Sequence, residues 1–216
     1  MRGPRDPIRL VAFDMEGVLT DDPTVWELMH RKLGTWESHG LPYWNSYRAG
    51  QLGYDEFAQM DVATWRGARA EMLQETAREV PLMLGCHEVL QRLVSEGVHV
   101  AIVSNGLMEV ATRFEQDFGV EHIFANGIEV VGTRLTGRIE IRVPYAGKGK
   151  VLRALAASLG VDRAQIAAIG DSMADIAMFR ESRLAIAFRP CQESVALAAT
   201  HCVRGHDLRE ALDVLL

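Results

Sequence analysis

The chain reads as an α/β protein: a doubly wound parallel sheet with a helical insertion after its first strand. Three observations predict this. Short apolar runs alternate with helical stretches from about residue 86 onward, the pattern of a parallel sheet covered on both faces. Small and acidic residues follow those runs, at the carboxyl ends of the strands where such sheets gather ligands. Residues 21 to about 80 differ in character, holding all four tryptophans (Trp26, Trp36, Trp44, Trp65) and three of the four tyrosines (Tyr43, Tyr47, Tyr54).

Taken in order, residues 8 to 13 form an apolar run that predicts a buried strand. The aromatic-rich stretch follows, with helical patterns and few strand signals. Cys86 to Glu96 reads as a helix stopped by Gly97, and Val98 to Val103 as a buried strand. Leu107 to Phe118 is an amphipathic helix closed by Gly119. Residues 128 to 143 alternate around Gly132 and Gly137, which predicts a hairpin excursion. Lys150 to Leu159 is helical, Ile166 to Ile169 a buried strand, and a helix begins near Met173. Leu184 to Phe188 is a further strand, and the chain closes on a helix from Asp207 to Leu215 with Asp207 as its N-cap.

Composition narrows the function classes. Hydrophobic content of 48%, charged content of 24% and a net charge of -6 are ordinary for a soluble globular protein. Lys and Arg are scattered, so neither a nucleic-acid footprint nor a polybasic membrane patch is expected. The first seven residues lack the apolar stretch of a signal peptide, and no apolar run approaches the ~18 residues of a membrane span. Cys86, Cys191 and Cys202 have no paired-ligand spacing, so they predict reduced structural thiols in a cytoplasmic protein.

The first strand ends in Phe13-Asp14-Met15-Glu16-Gly17-Val18-Leu19-Thr20. Side chains alternate along an extended chain, so Asp14 and Glu16 leave it on the same side. Two adjacent carboxylates repel and resist desolvation; a divalent cation or proton transfer at a reacting phosphate would account for them. A solvated turn is the plainer alternative. Ser104-Asn105-Gly106 follows the second strand, and a hydroxyl with free backbone N–H groups at a helix start suits an anion; an ordinary N-cap serine would look the same. Lys148 precedes a helix, where it can neutralise a phosphate oxygen or simply be a solvated loop lysine. Asp171 and Asp175 in Gly170-Asp171-Ser172-Met173-Ala174-Asp175 are hard oxygen donors that suit Mg²⁺, or else a capping and a surface aspartate.

Together these segments resemble the haloacid dehalogenase-like phosphatase superfamily: Asp14 to Thr20, Ser104, Lys148 and Gly170-Asp171 with Asp175 stand in the family's order. Ser104-Asn105-Gly106-Leu107, the 128–143 excursion, Lys148-Gly149, Asp171 to Met178 and Asp207 to Glu210 resemble its phosphoserine phosphatase branch. The resemblance implies a Rossmann-like core of residues 1–20 and 81–216, with residues 21–80 inserted as a helical cap domain. It implies Asp14 as nucleophile through an aspartyl-phosphate, and Glu16 as general acid and base. Mg²⁺ would be held by Asp14, the Glu16 carbonyl and Asp171, with Asp175 in support. Ser104, Asn105, Gly106 and Lys148 would hold the phosphate. The partner expected is a small-molecule phosphate ester, O-phosphoserine first, with no nucleic acid and no membrane; oligomeric state is left open.

The chain departs from that pattern in places. Glu16 stands where the family usually has Asp, and Ala174 where an asparagine is common. The acidic residue expected early in the cap falls near Pro23, which leaves Asp21, Asp22 or Glu27 to replace it; Arg48 and Arg66 are candidates for a substrate carboxylate. Alternative readings are a phosphotransferase passing the phosphoryl group to an acceptor alcohol, a binding-only family member, and a receiver-like switch, against which the insertion argues.

Overall fold

The computed structural model describes residues 6–215. Seven strands form one sheet in the order β4-β3-β2-β1-β5-β6-β7. They are β1 (Leu10–Phe13), β2 (His99–Leu107), β3 (His122–Val131), β4 (Arg134–Glu140), β5 (Ile166–Gly170), β6 (Leu184–Phe188) and β7 (His201–Val203). All neighbouring pairs run parallel except β3 and β4.

Every side chain of β1 is buried, and the period-two rule divides them between two cores. Val11 and Phe13 join Ile102, Ile169 and Phe188 on one face. Leu10 and Ala12 join Val103, Ala168 and Ala187 on the other. Helices α5 (Cys86–Ser95), α6 (Met108–Phe118) and α10 (Arg209–Leu215) cover the first face. Helices α7 (Lys148–Leu159), α8 (Ile176–Glu181) and α9 (Glu193–Ala198) cover the second. The predicted doubly wound α/β class is the observed one. Continuous apolar runs are what a strand buried on both sides requires.

Between β1 and α5 the chain forms α1 (Val25–Leu33), a π-helical turn (Trp36–Gly40), α2 (Leu41–Arg48), α3 (Tyr54–Thr64) and α4 (Ala70–Glu79). Thr24 caps α1 by accepting the N–H of Glu27 at 3.4 Å. The connection between α3 and α4 is fastened to β4. Gly67 N–H donates to Leu135 O, Leu135 N–H to Ala68 O and Ala70 N–H to Thr133 O, each at 2.9 Å. The Gln59 side chain adds a bond to Gly137 O at 3.1 Å.

Several details differ from the sequence reading. β2 runs on to Leu107 with a register shift after Val103. Ser104 therefore lies in the irregular end of a strand, and the helix begins only at Met108. β3 starts at His122 and pairs with β2 before it turns into the hairpin. The hairpin turns at Gly132, whereas Gly137 lies inside β4. The short strand β7 and helix α9 had no counterpart in the reading. Of the cysteines, Cys86 is buried, while Cys191 and Cys202 are exposed and so are not structural. Among the described residues no helix is long and apolar enough to cross a membrane.

Candidate active site

The site forms where β2, β1 and β5 end side by side. Asp14 follows β1, and its N–H donates to Ile169 O of β5 at 2.9 Å. Its Oδ1 accepts from the N–H of Met15 at 2.7 Å and lies 2.8 Å from Lys148 Nζ. Lys148, the first residue of α7, is 1% exposed and donates also to Asp175 Oδ1 at 2.7 Å. Asp175 Oδ2 accepts from the N–H of Asp171 at 3.1 Å, from that of Ser172 at 2.9 Å and from Ser172 Oγ at 2.7 Å. Both Asp175 oxygens are thus committed, one to orienting Lys148 and one to folding the turn that carries Asp171.

Burial, and then the charge of Asp175, push the Asp14 carboxyl up, against the pull of Lys148. Asp171 is held well above the usual carboxylate range by burial and by Asp14 and Asp175. Lys148 is kept protonated, because its two carboxylates outweigh its desolvation. Three carboxylates around one ammonium leave an excess of negative charge. In metal-free buffer Lys148→Met would strand two buried carboxylates, and is expected to cost about 3–5 kcal/mol in urea unfolding. A wild-type unfolding midpoint for that variant would contradict this electrostatic picture.

The loop after Asp14 turns back sharply: Leu19 and Thr20 N–H groups donate to Met15 O at 2.8 and 2.9 Å. Gly17 sits at φ 81°, and a Cβ there would stand 2.7 Å from Asp171 Oδ2. That close approach brings the loop against the end of β5. Glu16 is half-buried. Its Oε2 accepts from Trp26 Nε1 of α1 at 3.4 Å, while its Oε1 is buried without a partner. Burial, and then the charge of Asp14, push the Glu16 carboxyl up to about 7.

Gly106 packs against this carboxyl, and a Cβ there would lie 3.2 Å from Glu16 Cδ and from Ser104 Oγ. Gly106 N–H donates to Ser104 Oγ at 3.0 Å. Asn105 turns its side chain away and donates to Val143 O at 2.8 Å, so only its backbone borders the site. Asn126 of β3 was not anticipated. It is fully buried, donates to Asn105 O at 2.6 Å and accepts from the N–H groups of Arg142 and Val143, both at 2.9 Å. It ties the end of β2 to the segment that leads into Lys148. Tyr54 of α3 donates to the same Asn105 carbonyl. The structure therefore brings Asp14, Glu16, Ser104, Gly106, Lys148, Asp171 and Asp175 together.

A protein-family model described as haloacid dehalogenase-like hydrolase matches residues 11–180, which span this whole arrangement. The chain belongs to that family. A phosphoserine phosphatase of Campylobacter jejuni subsp. doylei is 32% identical over 211 residues, covering 96% of this chain and 100% of that one. One of Methanocaldococcus jannaschii is 27% identical over 206 residues, covering 94% and 96%. The chain spans only 44% and 52% of the length of the phosphoserine phosphatases of Streptomyces coelicolor and Archaeoglobus fulgidus, to which it is 32% identical over 182 residues and 29% identical over 181. A solved structure described as a phospho-aspartyl intermediate analogue of phosphoserine phosphatase superposes with a TM-score of 0.87 at 25% identity, covering 98% of this chain and 100% of that one.

Within this haloacid dehalogenase-like frame the acidic cluster fits a divalent cation. Ligand oxygens of Asp14, Asp171 and Asp175 lie within 4.8 Å of one another, and hard oxygen donors suit Mg²⁺. A cavity of about 480 Å³ opens among the helices that follow β1, with Trp26 in its wall. Asp22, Glu27 and Arg48 line it. Asp21 and Arg66 do not: Asp21 pairs with Arg189 at 3.0 Å, and Arg66 packs against Gly137. Ala174, in place of the family's frequent asparagine, is buried.

Proposed function

We propose that this chain is a Mg²⁺-dependent phosphomonoesterase that works through an aspartyl-phosphate on Asp14. One observation carries the reading: a nucleophile-competent carboxylate after β1, a buried lysine that opens α7 and the carboxylates after β5 converge on one point. Asp14 Oδ1 is held by Lys148 and the Met15 N–H. Its other oxygen accepts no hydrogen bond among the described residues and would attack phosphorus, splitting hydrolysis into two phosphoryl transfers. Ser104 Oγ, Gly106 N–H and Lys148 Nζ would hold the non-bridging oxygens, since phosphoryl transfer asks chiefly for positioning and charge neutralisation.

Glu16 would protonate the departing alcohol and then deprotonate water. A carboxyl with one unpartnered buried oxygen and a pKa near neutrality suits both tasks. Asp14, the Glu16 carbonyl and Asp171 would hold Mg²⁺, with Asp175 in support. When bound, Mg²⁺ supplies the charge that lets a carboxylate approach a phosphate dianion. The helices of residues 21–80 would act as a cap, excluding water during the first transfer; Trp26 and Tyr54 are the side chains that reach the site from them. The names of the relatives make O-phosphoserine the reference substrate, and a cytoplasmic setting goes with it.

The test is phosphate release from a panel of phosphorylated metabolites with Mg²⁺, run with and without acceptor alcohols. Turnover is expected to vanish in chelator, to return with Mg²⁺ and to recover poorly with Ca²⁺, whose looser coordination disturbs in-line geometry. Full activity after metal stripping would refute the metal requirement, and product that appears only with an added alcohol would make the chain a phosphotransferase.

A further inference from the structure

The Gly106 N–H, assigned above to a phosphate oxygen, sits in the least regular stretch of β2. Val103 pairs with Phe124 and Leu107 with Asn126, so more residues of β2 than of β3 lie between the two pairs. Residues 104–106 bulge out, and no regular ladder holds their backbone. Bulges beside active sites re-aim groups in this way, and the backbone groups they release need other partners. The direction of the Gly106 N–H is set by the peptide unit it belongs to. That unit is planar and carries the Asn105 carbonyl on its opposite side, so whatever grips the carbonyl also aims the N–H.

Two side chains grip it. Asn126 Nδ2 donates to Asn105 O at 2.6 Å, and the Tyr54 hydroxyl donates to the same oxygen. A carbonyl oxygen has two lone pairs, and both are filled. Asn126 is anchored at its other end, where Oδ1 accepts the N–H groups of Arg142 and Val143. Tyr54 comes from α3, which the Gln59 bond to Gly137 O ties to β4. Its ring stacks on Tyr145 with centroids 6.0 Å apart and meets Tyr47 edge-on at 6.1 Å. Burial, and then the charge of Glu16, push the Tyr54 hydroxyl up, so it keeps its proton and stays a donor. On the far side of the peptide the Gly106 N–H reaches Ser104 Oγ at 3.0 Å, the hydroxyl assigned to the same phosphate.

We propose that Tyr54 is a positioning residue: its hydroxyl, beside Asn126, holds the Asn105–Gly106 peptide with its N–H aimed at the phosphate. Tyr54 is not asked to touch the substrate. It acts through the backbone of Gly106, and through it the helical insertion acts on the phosphate site. Donors on a carbonyl also polarise the peptide and strengthen its N–H as a donor. A donor already aimed needs no reorganisation as charge develops on the phosphoryl oxygens, so its loss is felt in kcat more than in KM. This rests on the phosphomonoesterase reading above.

Tyr54→Phe tests this, because it keeps the ring and its packing and removes only the hydroxyl. With Mg²⁺ and the best ester of the metabolite panel, kcat is expected to fall by about 10–10²-fold, short of the ~10²–10³-fold that follows outright removal of an oxyanion donor. KM should change by less than about threefold. A second measurement needs no turnover: the amide ¹H–¹⁵N resonance of Gly106 in the Mg²⁺-loaded protein. The substitution should move that resonance and leave the amides of Ile166–Gly170 in place. Orthovanadate, which adopts the five-coordinate geometry of phosphoryl transfer, should shift the Gly106 resonance in the wild type and bind the variant about tenfold more weakly. If the wild type turns over no ester, yet vanadate moves Gly106 and binds the variant more weakly, the positioning role stands and the phosphatase reading falls. An unmoved Gly106 resonance in Tyr54→Phe, an unchanged kcat, a loss confined to KM or, without turnover, equal vanadate affinities would each overturn the inference. Where the wild type hydrolyses esters, such a result leaves the phosphatase reading intact.

Discussion

Asp14→Asn is expected to lower turnover of every phosphate monoester by about 10⁴-fold or more, the scale on which loss of a nucleophile is felt. The amide keeps the shape of the carboxyl but is a poor nucleophile toward phosphorus. The fold should survive. Asp175 still pairs with Lys148 at 2.7 Å, and removing one of three crowded carboxylates relieves the repulsion that holds Asp171 so far above its usual range. Thermal unfolding in metal-free buffer should therefore show no loss of stability. Because Asn can deamidate back to Asp, the variant's mass must be checked before and after the assay. Near wild-type hydrolysis of an aryl phosphate by intact variant would show that some other group attacks.

Glu16→Gln has the second largest effect, and it depends on the leaving group. An alkyl alkoxide must be protonated as its bond to phosphorus breaks, whereas a nitrophenolate leaves unaided. Phosphoryl transfer from an alkyl ester should fall by about 10²–10⁴-fold, the usual range for general acid–base catalysis, and from an aryl ester far less. The second transfer needs the same carboxylate as a base, so aspartyl-phosphate should accumulate. The sign of the pH dependence follows from burial and the Asp14 charge, which raise Glu16 to about 7. The protonated acid is present below that value, so kcat/KM for alkyl esters should decline as pH rises through ~7, and the Gln variant should lack that limb. Rapid-quench kinetics with both ester types resolve the question. Equal losses for alkyl and aryl esters, with no trapped intermediate, would make Glu16 a structural residue.

Much of the core was legible because its strands are buried on both faces. Leu10 to Phe13 and Ile166 to Gly170 show no polar interruption, and such runs announce themselves without alternation. The catalytic candidates were legible for a related reason: Asp14 and Asp171 each follow an apolar run by one residue, where nothing about packing asks for a carboxylate. β7 escaped notice because it has three residues, two of them exposed. The start of β3 escaped because His122, Ile123 and Phe124 are all half-buried and give no clean period. Asn126 looked like a lone polar residue, since its partners lie 16 and 17 positions on and 21 positions back. Asn105 stood in the right loop, but its rotamer, which points to Val143, is not written in local sequence. Asp61 and His30 come from different helices, and only the folded chain shows that they meet.

The hydrogen bonds between residues 67–70 and β4 bear on how a substrate gets in and out. A lid joined to its base only at its two chain ends can swing as a flap. This helical segment is also stitched mid-span to the hairpin by Gly67, Ala68 and Ala70, so α3 and α4 travel with the sheet. Of the elements before the stitch, α1 is packed into the core through Val25, Trp26 and Met29, whereas α2 buries no residue and the π-helical turn only Gly40; the freedom that remains belongs to those two. A lifting of that edge past Trp36 and Trp44 would open a way in and out, and a slow lift would cap turnover whatever the chemistry allows. Amide hydrogen exchange should run faster across residues 36–53 than at residues 67–70; the opposite ranking would mean that the stitch itself comes undone on every cycle.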